Sequence, residues 1–263
     1  MPAESIDDAA RARQAPAEEI LTLLHDVNEV VLLALLENPA LDESHVQNLL
    51  QRLDLPGTVI AALTAQAKWL KSEAVRLAIA QHPHTPPRVA NPIVRQLFVF
   101  NLVHVSLAPS AQAETRRLAE EILVSKIPQL AIGQKLTLAR RGPSRVAGAI
   151  IQEGHAEATM AALSNPFLTE AQILKVLAQS ATPARVVTAI AEHPKWSSHY
   201  NIRLALVRNR HTPLRAVMAF LPNLTVRDLK DISTVPGVPA NIKAYIQREV
   251  QRRLNPAGKL PQR

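Results

Sequence analysis

The residues with the most chemistry to offer come in matched sets. Lys68, Trp69 and Arg76 recur as Lys195, Trp196 and Arg203, and Trp69 and Trp196 are the two tryptophans of the chain. From Trp to Arg is seven residues, about two helical turns, so the two side chains share one face if a helix begins at the Trp. A cationic and aromatic face of that kind can stack bases or grip an acidic peptide. The same set can equally be packing, with the indole wedged between helices and the guanidinium bonded to a neighbour's carbonyls or carboxylate. Recurrence at two places suits the packing reading, since a repeat keeps what its packing requires.

A second set is basic. Arg203, Arg208, Arg210, His211 and Arg215 follow closely, with Arg227 and Lys230 beyond them. Arg208 and Arg210 fall where one helix is expected to end and Arg215 in the first turn of the next. Turns of stacked helices line up along an edge, and a stripe of cations there suits phosphate contacts. The alternative is a solvated edge, with Arg208 favourably placed at a helix C-terminus. Arg140, Arg141 and Arg145 around Gly142-Pro143 carry the same two readings. Arg248, Arg252, Arg253, Lys259 and Arg263 read as a basic, mobile tail that adds non-specific affinity.

Other chemistries find little support. His82-x-His84 is the nearest approach to a metal pair, but zinc takes three or four ligands, and Asn209 replaces His82 where His211 repeats His84. The chain has no cysteine, which excludes disulfides, thiolate metal sites and thiol catalysis. It carries no Gly-rich phosphate loop, nucleophile elbow or His-Glu-x-x-His motif. Asp228 and Asp231 lie three apart on one helix, but Arg227 and Lys230 among them suggest a salt-bridged surface rather than a catalytic pair. No metal, cofactor or catalytic residue is expected.

These residues need elements to hold them, and the sequence offers short helices in a duplicated order. Asn38-Pro39-x-Leu41 recurs as Asn165-Pro166-x-Leu168, Pro56 as Pro183, and His84-Thr85-Pro86 as His211-Thr212-Pro213, each 127 residues apart. Between 35–86 and 162–213 the ungapped match is 17 identities in 52 positions, too many for unrelated segments. It fades afterwards but persists, with Leu102 facing Leu229, Ser106 facing Ser233 and Pro109 facing Pro236. A shorter period of 30 residues, Pro56 to Pro86 and Pro183 to Pro213, is the length of two short helices and two turns. Val46, Leu49, Leu50 and Leu53 have helical spacing, and no alternating β-branched run argues for a sheet. Thr85-Pro86, Thr182-Pro183 and Thr212-Pro213 read as Thr N-caps before a Pro at the first helical position. Thr169 to Gln172 reads as a capping box, and Asn38-Pro39 and Asn165-Pro166 as stops.

The expected fold is therefore all-α: a HEAT-like α-solenoid of about 14–16 short helices, built from two tandem units offset by 127 residues. A disordered N-terminus covers 1–15, the first unit 16–130, the second and continuous unit 131–254, and a flexible basic tail 255–263. One helix is expected over 87–100. Aromatics are only 3%, so the core must come from aliphatic residues. Net charge is uneven: residues 1–130 hold 11 Lys and Arg against 15 Asp and Glu, residues 131–263 hold 19 against 7. A basic half suggests an acidic partner. The N-terminus lacks the apolar run of a secretory signal, and Gln96–Ala113, the nearest to a membrane span, is broken by Asn101, His104, Ser106 and Pro109. A cytoplasmic location is expected.

Residues 75–90 (VRLAIAQHPHTPPRVA) and 202–217 (IRLALVRNRHTPLRAV) resemble the HEAT-like and leucine-rich-repeat-variant helical families. The shared feature is helix, Asn-Pro or His-Pro, Thr-Pro, helix, and the resemblance covers about residues 30–253. It implies a non-enzymatic binding scaffold that presents a curved helical surface, with a protein partner expected first and nucleic acid or another polyanion suggested by the basic second half. Variant repeats of that family can accompany a cysteine-rich iron–sulfur segment, absent here. A second implication is enzymatic. Some HEAT-like proteins are DNA-repair glycosylases acting on alkylated bases, with an Asp beside Trp and Arg on a basic face, and Trp196, Arg203 and Asp228 are loose analogues of that set.

Overall fold

The computed structural model describes residues 3–236 and 238–254, with side chains described from residue 7 onward. The expected tail at 255–263, with Lys259 and Arg263, lies outside the described residues. Two compact units divide between Lys126 and Ile127. Among the described residues every regular element is helical. The first unit holds α1 (Ala3–Gln14), α2 (Ala17–Leu23), α3 (Glu29–Leu35), α4 (Glu43–Leu50), α5 (Gly57–Ala65), α6 (Glu73–Gln81), α7 (Pro87–Val94), α8 (Val99–Leu107) and α9 (Ala113–Lys126). The second holds α10 (Ile132–Arg141), α11 (Ser144–Glu153), α12 (Ala156–Leu163), α13 (Glu170–Ala178), α14 (Ala184–Glu192), α15 (Pro194–Ser197), α16 (Tyr200–Arg208), α17 (Leu214–Phe220), α18 (Val226–Thr234) and α19 (Ala240–Leu254). None is long and apolar enough to cross a membrane.

Helices this short are marginal alone and depend on packing for their stability. The first unit buries an aliphatic seam that includes Ile20, Leu35, Leu49, Ile60 and Ile79. In the second, Ile150, Leu163, Ile173, Ile190, Ile202 and Leu206 are buried in the same manner.

The described residues hold 19 α-helices rather than the expected 14–16, and three expectations about where helices lie need correction. Residues 3–14 are helical, not disordered: α1 packs on α3 and buries Ala9 and Ala12, with Ala15 just beyond its end. Alanines carry little apolar surface, so hydropathy marks this helix poorly. The 127-residue offset marks it better, since Arg13 and Pro16 correspond to Arg140 and Pro143 at the end of α10. The single helix over 87–100 is two, α7 and α8. Glu73 Oε1 on α6 accepts from Phe98 N at 2.9 Å and from Asn101 Nδ2 at 2.8 Å, which opens the chain at Phe98 and caps α8 from outside. Finally, Arg248, Arg252 and Arg253 belong to α19. Glu249 pairs with Arg252 and Arg253, and Arg253 also reaches Leu224 O at 2.5 Å and Leu221 O at 2.7 Å.

The bonds that join one helix pair to the next share a pattern. A helix leaves its last carbonyls without intrahelical donors. Here a side chain from a later helix pair supplies them. Asn38 Nδ2 donates to Ala12 O at 2.8 Å and to Ala15 O at 3.0 Å, while its Oδ1 accepts from Ala40 N. Asn165 repeats this with Ala139 O at 2.8 Å, Gly142 O at 2.9 Å and Phe167 N. Arg52 reaches Leu24 O and Asp26 O, Gln66 reaches Leu36 O, and His82 reaches Arg52 O. In the second unit Asn209 reaches Leu177 O. The Asn-Pro pairs thus do more than stop a helix, because the Asn also clamps an earlier one.

The Thr-Pro pairs are not N-caps. Pro86, Pro183 and Pro213 themselves hold the N-cap position. Each Thr hydroxyl donates backwards instead: Thr85 to Ile79 O at 2.7 Å, Thr182 to Val176 O at 2.6 Å and Thr212 to Leu206 O at 2.6 Å. The Thr closes the preceding helix, and the fixed φ of Pro opens the next. Thr169 does cap α13, accepting from Gln172 N at 3.3 Å, but its own N–H goes to Ser144 Oγ rather than back to Gln172. The Gln172 side chain lies over Gly148, where a Cβ would stand 2.2 Å from Nε2.

Asn165→Ala strands Ala139 O, Gly142 O and Phe167 N in a buried place and should cost about 2–4 kcal/mol. Guanidinium unfolding followed by far-UV circular dichroism measures it. Asn165→Asp, which can accept but not donate, should not restore the loss.

Candidate functional site

The Lys-Trp-Arg sets are built from the turn upward, not on one helix face. Trp69 sits on a 3-10 turn (Trp69–Lys71) before α6, and Trp196 sits on α15 before α16, so neither shares a helix with its Arg. Trp69 is 6% exposed and Trp196 is 1% exposed. Trp196 Nε1 donates to Leu163 O at 2.7 Å. Trp69 Nε1 donates to Gln66 Oε1 at 3.0 Å, and Gln66 Nε2 passes the link on to Leu36 O, the carbonyl 127 residues before Leu163. Lys68 Nζ and Lys195 Nζ each stand 4.2 Å from the centroid of the following indole. Arg76 Nη1 donates to Leu70 O at 2.9 Å and pairs with Glu73, and Arg203 Nε donates to Ser197 O at 2.6 Å. Stacking on a base needs an open ring face. These rings are enclosed, so of the six residues only Lys68 and Lys195 stand exposed to solvent.

His82 and His84 are fastened in the same way. His82 Nε2 bonds Arg52 O at 2.7 Å, and its Nδ1 accepts from His84 N at 3.2 Å, which fixes the neutral Nε2–H tautomer. His84 Nδ1 bonds Leu55 O at 2.9 Å. Asn209 repeats half of the His82 pattern, accepting from His211 N at 2.9 Å, but donates to Leu177 O, two residues before the position that corresponds to Arg52. An amide replaces the imidazole because it, too, offers one donor and one acceptor. Among the described residues no three metal-capable side chains converge.

Asp228 has a similar structural partner. Thr225 Oγ1 donates to it at 2.6 Å and Tyr200 Oη also donates to it, while Tyr200 Oη accepts from Thr225 N at 3.1 Å. The Thr225 and Tyr200 hydroxyls, with Arg208 and Arg227 nearby, hold the Asp228 carboxyl below the usual range against slight desolvation. Trp196, Arg203 and Asp228, the loose glycosylase analogues, are thus each held by contacts inside the unit. The expected salt-bridged Asp228–Asp231 surface is instead a hydroxyl-bonded cap on α18.

The remaining cations are different. Arg208, Arg210, Arg215, Arg227 and Lys230 are all exposed. Among the described residues none of them forms a salt bridge. Arg208 and Arg210, with Asn209 and His211, line an open groove of about 570 Å³. Gln179 and Ser180, in the turn after α13, face them across it, and Pro236 borders it. Arg227 and Arg208 both act on Asp228. Arg215 and Lys230 line no part of the groove. Sequence reasoning found the arginines but not Gln179 and Ser180, although both follow a helix about 30 residues before Arg208 and so fall in register with it. Arg140 and Arg141 are exposed at the end of α10.

Burial foremost, with His84 adding to it, lowers the pKa of His82 from its ordinary 6.5, while Arg52 O and Asp54 act the other way. A lowered imidazole pKa contributes stability that is full above 6.5 and is lost as pH falls through that value towards the folded one. Thermal melts from about pH 8 to about pH 5 should fall less steeply for His82→Asn, which copies Asn209, than for the parent. For the tryptophans, Trp196→Phe should cost about 1–3 kcal/mol through the orphaned Leu163 O. Tryptophan emission should be blue-shifted and unmoved by added polyanion; quenching on binding would make the rings a contact surface.

No model of a known protein family, no curated protein and no solved structure matches this chain, so a function must be argued from these residues themselves.

Proposed function

We propose that the chain is a non-enzymatic binding scaffold of HEAT-like or leucine-rich-repeat-variant helices, arisen by duplication and stacked as an α-solenoid. Its helical surface takes a protein partner, and its basic second unit takes an acidic one, nucleic acid or an acidic protein segment. A cytoplasmic location, where both are at hand, completes the reading. Support for the duplication is that the Asn38, Thr85 and Arg76 bonds recur at Asn165, Thr212 and Arg203.

The observation that carries the acidic partner is uncompensated charge. Residues 127–263 hold 19 Lys and Arg against seven Asp and Glu. Four of those seven already have partners: Glu153 with Lys135, Glu170 with His199 and Asn201, Asp228 with Tyr200 and Thr225, and Glu249 with Arg252 and Arg253. Asp228 lies within electrostatic reach of Arg208 and Arg227, but none of Arg208, Arg210, Arg215 and Arg227 forms a salt bridge among the described residues. Unpaired surface cations release counterions from a polyanion and so bind it with strong salt dependence.

Fluorescence polarisation with labelled single-stranded DNA and with polyglutamate, across a salt series, tests this. Affinity should fall linearly on a log–log plot. The triple variant Arg208→Gln/Arg210→Gln/Arg227→Gln should bind at least tenfold more weakly at about 50 mM salt, with a slope shallower by roughly two to three. Binding indifferent to salt, or unchanged in the triple variant, removes the acidic-partner reading.

A further inference from the structure

A second feature of the C-terminal unit lies apart from its basic groove. Between α12 and α14 is a cavity of about 280 Å³, walled largely by apolar groups of Ala156, Met160, Val186, Ala189 and Pro194. Thr159 and His193 also line it, and Thr159 Oγ1 and His193 Nδ1 are buried without any hydrogen-bond partner. Thr159 is only 2% exposed. Buried polar atoms in folded proteins are nearly always bonded, so these two are uncommon, although both are covered by neighbouring atoms and neither opens onto the cavity. Burial, with Lys195 adding to it, lowers the pKa of His193, which leaves a neutral ring able to donate or accept.

The void is a matter of side chains, not of helix pairing. α3 and α5 pack together as α12 and α14 do, with residues 127 earlier at each position. There buried Leu32 stands in place of Thr159, and Glu29 and Thr58, in place of Ala156 and Arg185, bond each other at 2.5 Å. Gln66, in place of His193, is bonded to Leu36 O and Trp69. The second unit has exchanged bulk and paired polar groups for space and unpaired ones. Arg185 borders that space and forms no salt bridge among the described residues. It lies against Gly154, where a Cβ would come 2.8 Å from its Nε, and the left-handed φ of +73 there also favours glycine.

We propose that this cavity is a binding site for a small amphiphilic carboxylate. An aromatic or short aliphatic body lies between α12 and α14, and the carboxylate meets the exposed Arg185 guanidinium that borders the cavity. At about 30 Å³ for a water-sized group, the volume suits roughly ten non-hydrogen atoms. A guanidinium fork matches a carboxylate. A phosphate suits the site less, since Glu192 also borders it and a second negative charge would meet a like one.

The probe is 4-hydroxyphenylacetate on the full chain, followed by calorimetry and methyl NMR. Binding should saturate and shift the Met160 methyl but not that of Met218. It should weaken at least tenfold for the neutral amide of the same acid and for Arg185→Gln. Thr159→Leu, which fills the space as Leu32 does, should abolish it while leaving the melting temperature equal or higher; Ala156→Leu fills the same space from the first turn of α12 if that variant melts early. No Met160 shift at about 10 mM probe, equal shifts at both methionines, or undiminished binding in the filled variants would overturn the proposal. None of these readouts depends on polyanion binding, so the two proposals stand or fall separately.

Discussion

The structure depends on how the open ends of short helices are satisfied. A helix of seven to ten residues has almost as many orphan backbone groups as bonded ones. Leaving its last carbonyls buried and unpaired would cost more than the helix is worth. In both units the donor comes from side chains some 23 to 33 residues later: Asn38, Arg52, Gln66 and His82 in one, Asn165, Trp196, Asn209 and Arg253 in the other. Each helix pair therefore completes an earlier one. The threonines of the Thr-Pro turns add a local closure at the ends of α6, α13 and α16.

What is retained across the 127-residue offset is the bond rather than the residue. His82 gives way to Asn209 with the bond from the N–H two residues on kept, while the carbonyl it reaches moves from Arg52 to Leu177, two residues short of the corresponding position. Glu73, which accepts from Phe98 N and Asn101, gives way to Tyr200, which accepts from Thr225 N and donates to Asp228. Donor and acceptor have exchanged sides at the second contact, and the link survives. Gln66 bridges Trp69 to the carbonyl that Trp196 reaches directly. The Glu73 and Tyr200 links reach past Pro86 and Pro213, where the identity thins.

The same economy limits where recognition can occur. Tryptophans and arginines that look like a binding face are used to seal helix ends, and so the exposed chemistry is left to the turns and to places where packing is incomplete. Arg208 and Arg210 stand exposed at a turn, beside a groove. The α12–α14 cavity is the opposite case, with two polar atoms that the fold leaves unpaired.

Much of this was legible in the sequence. The helical class, the 30- and 127-residue periods, most helix positions and the uneven charge follow from spacing and composition, because apolar periodicity and Pro placement are local properties. The exposed arginines of the second unit were also legible. The helix over 3–14 was missed because alanines bury little surface, and the break at Phe98 because its cause, Glu73, lies 25 residues upstream. Whether Trp69 and Trp196 face solvent and which polar atoms find no partner were decided only by the tertiary structure. Each depends on a carbonyl or side chain brought close by packing, and a bond spanning some 30 residues leaves no local mark on the chain that makes it.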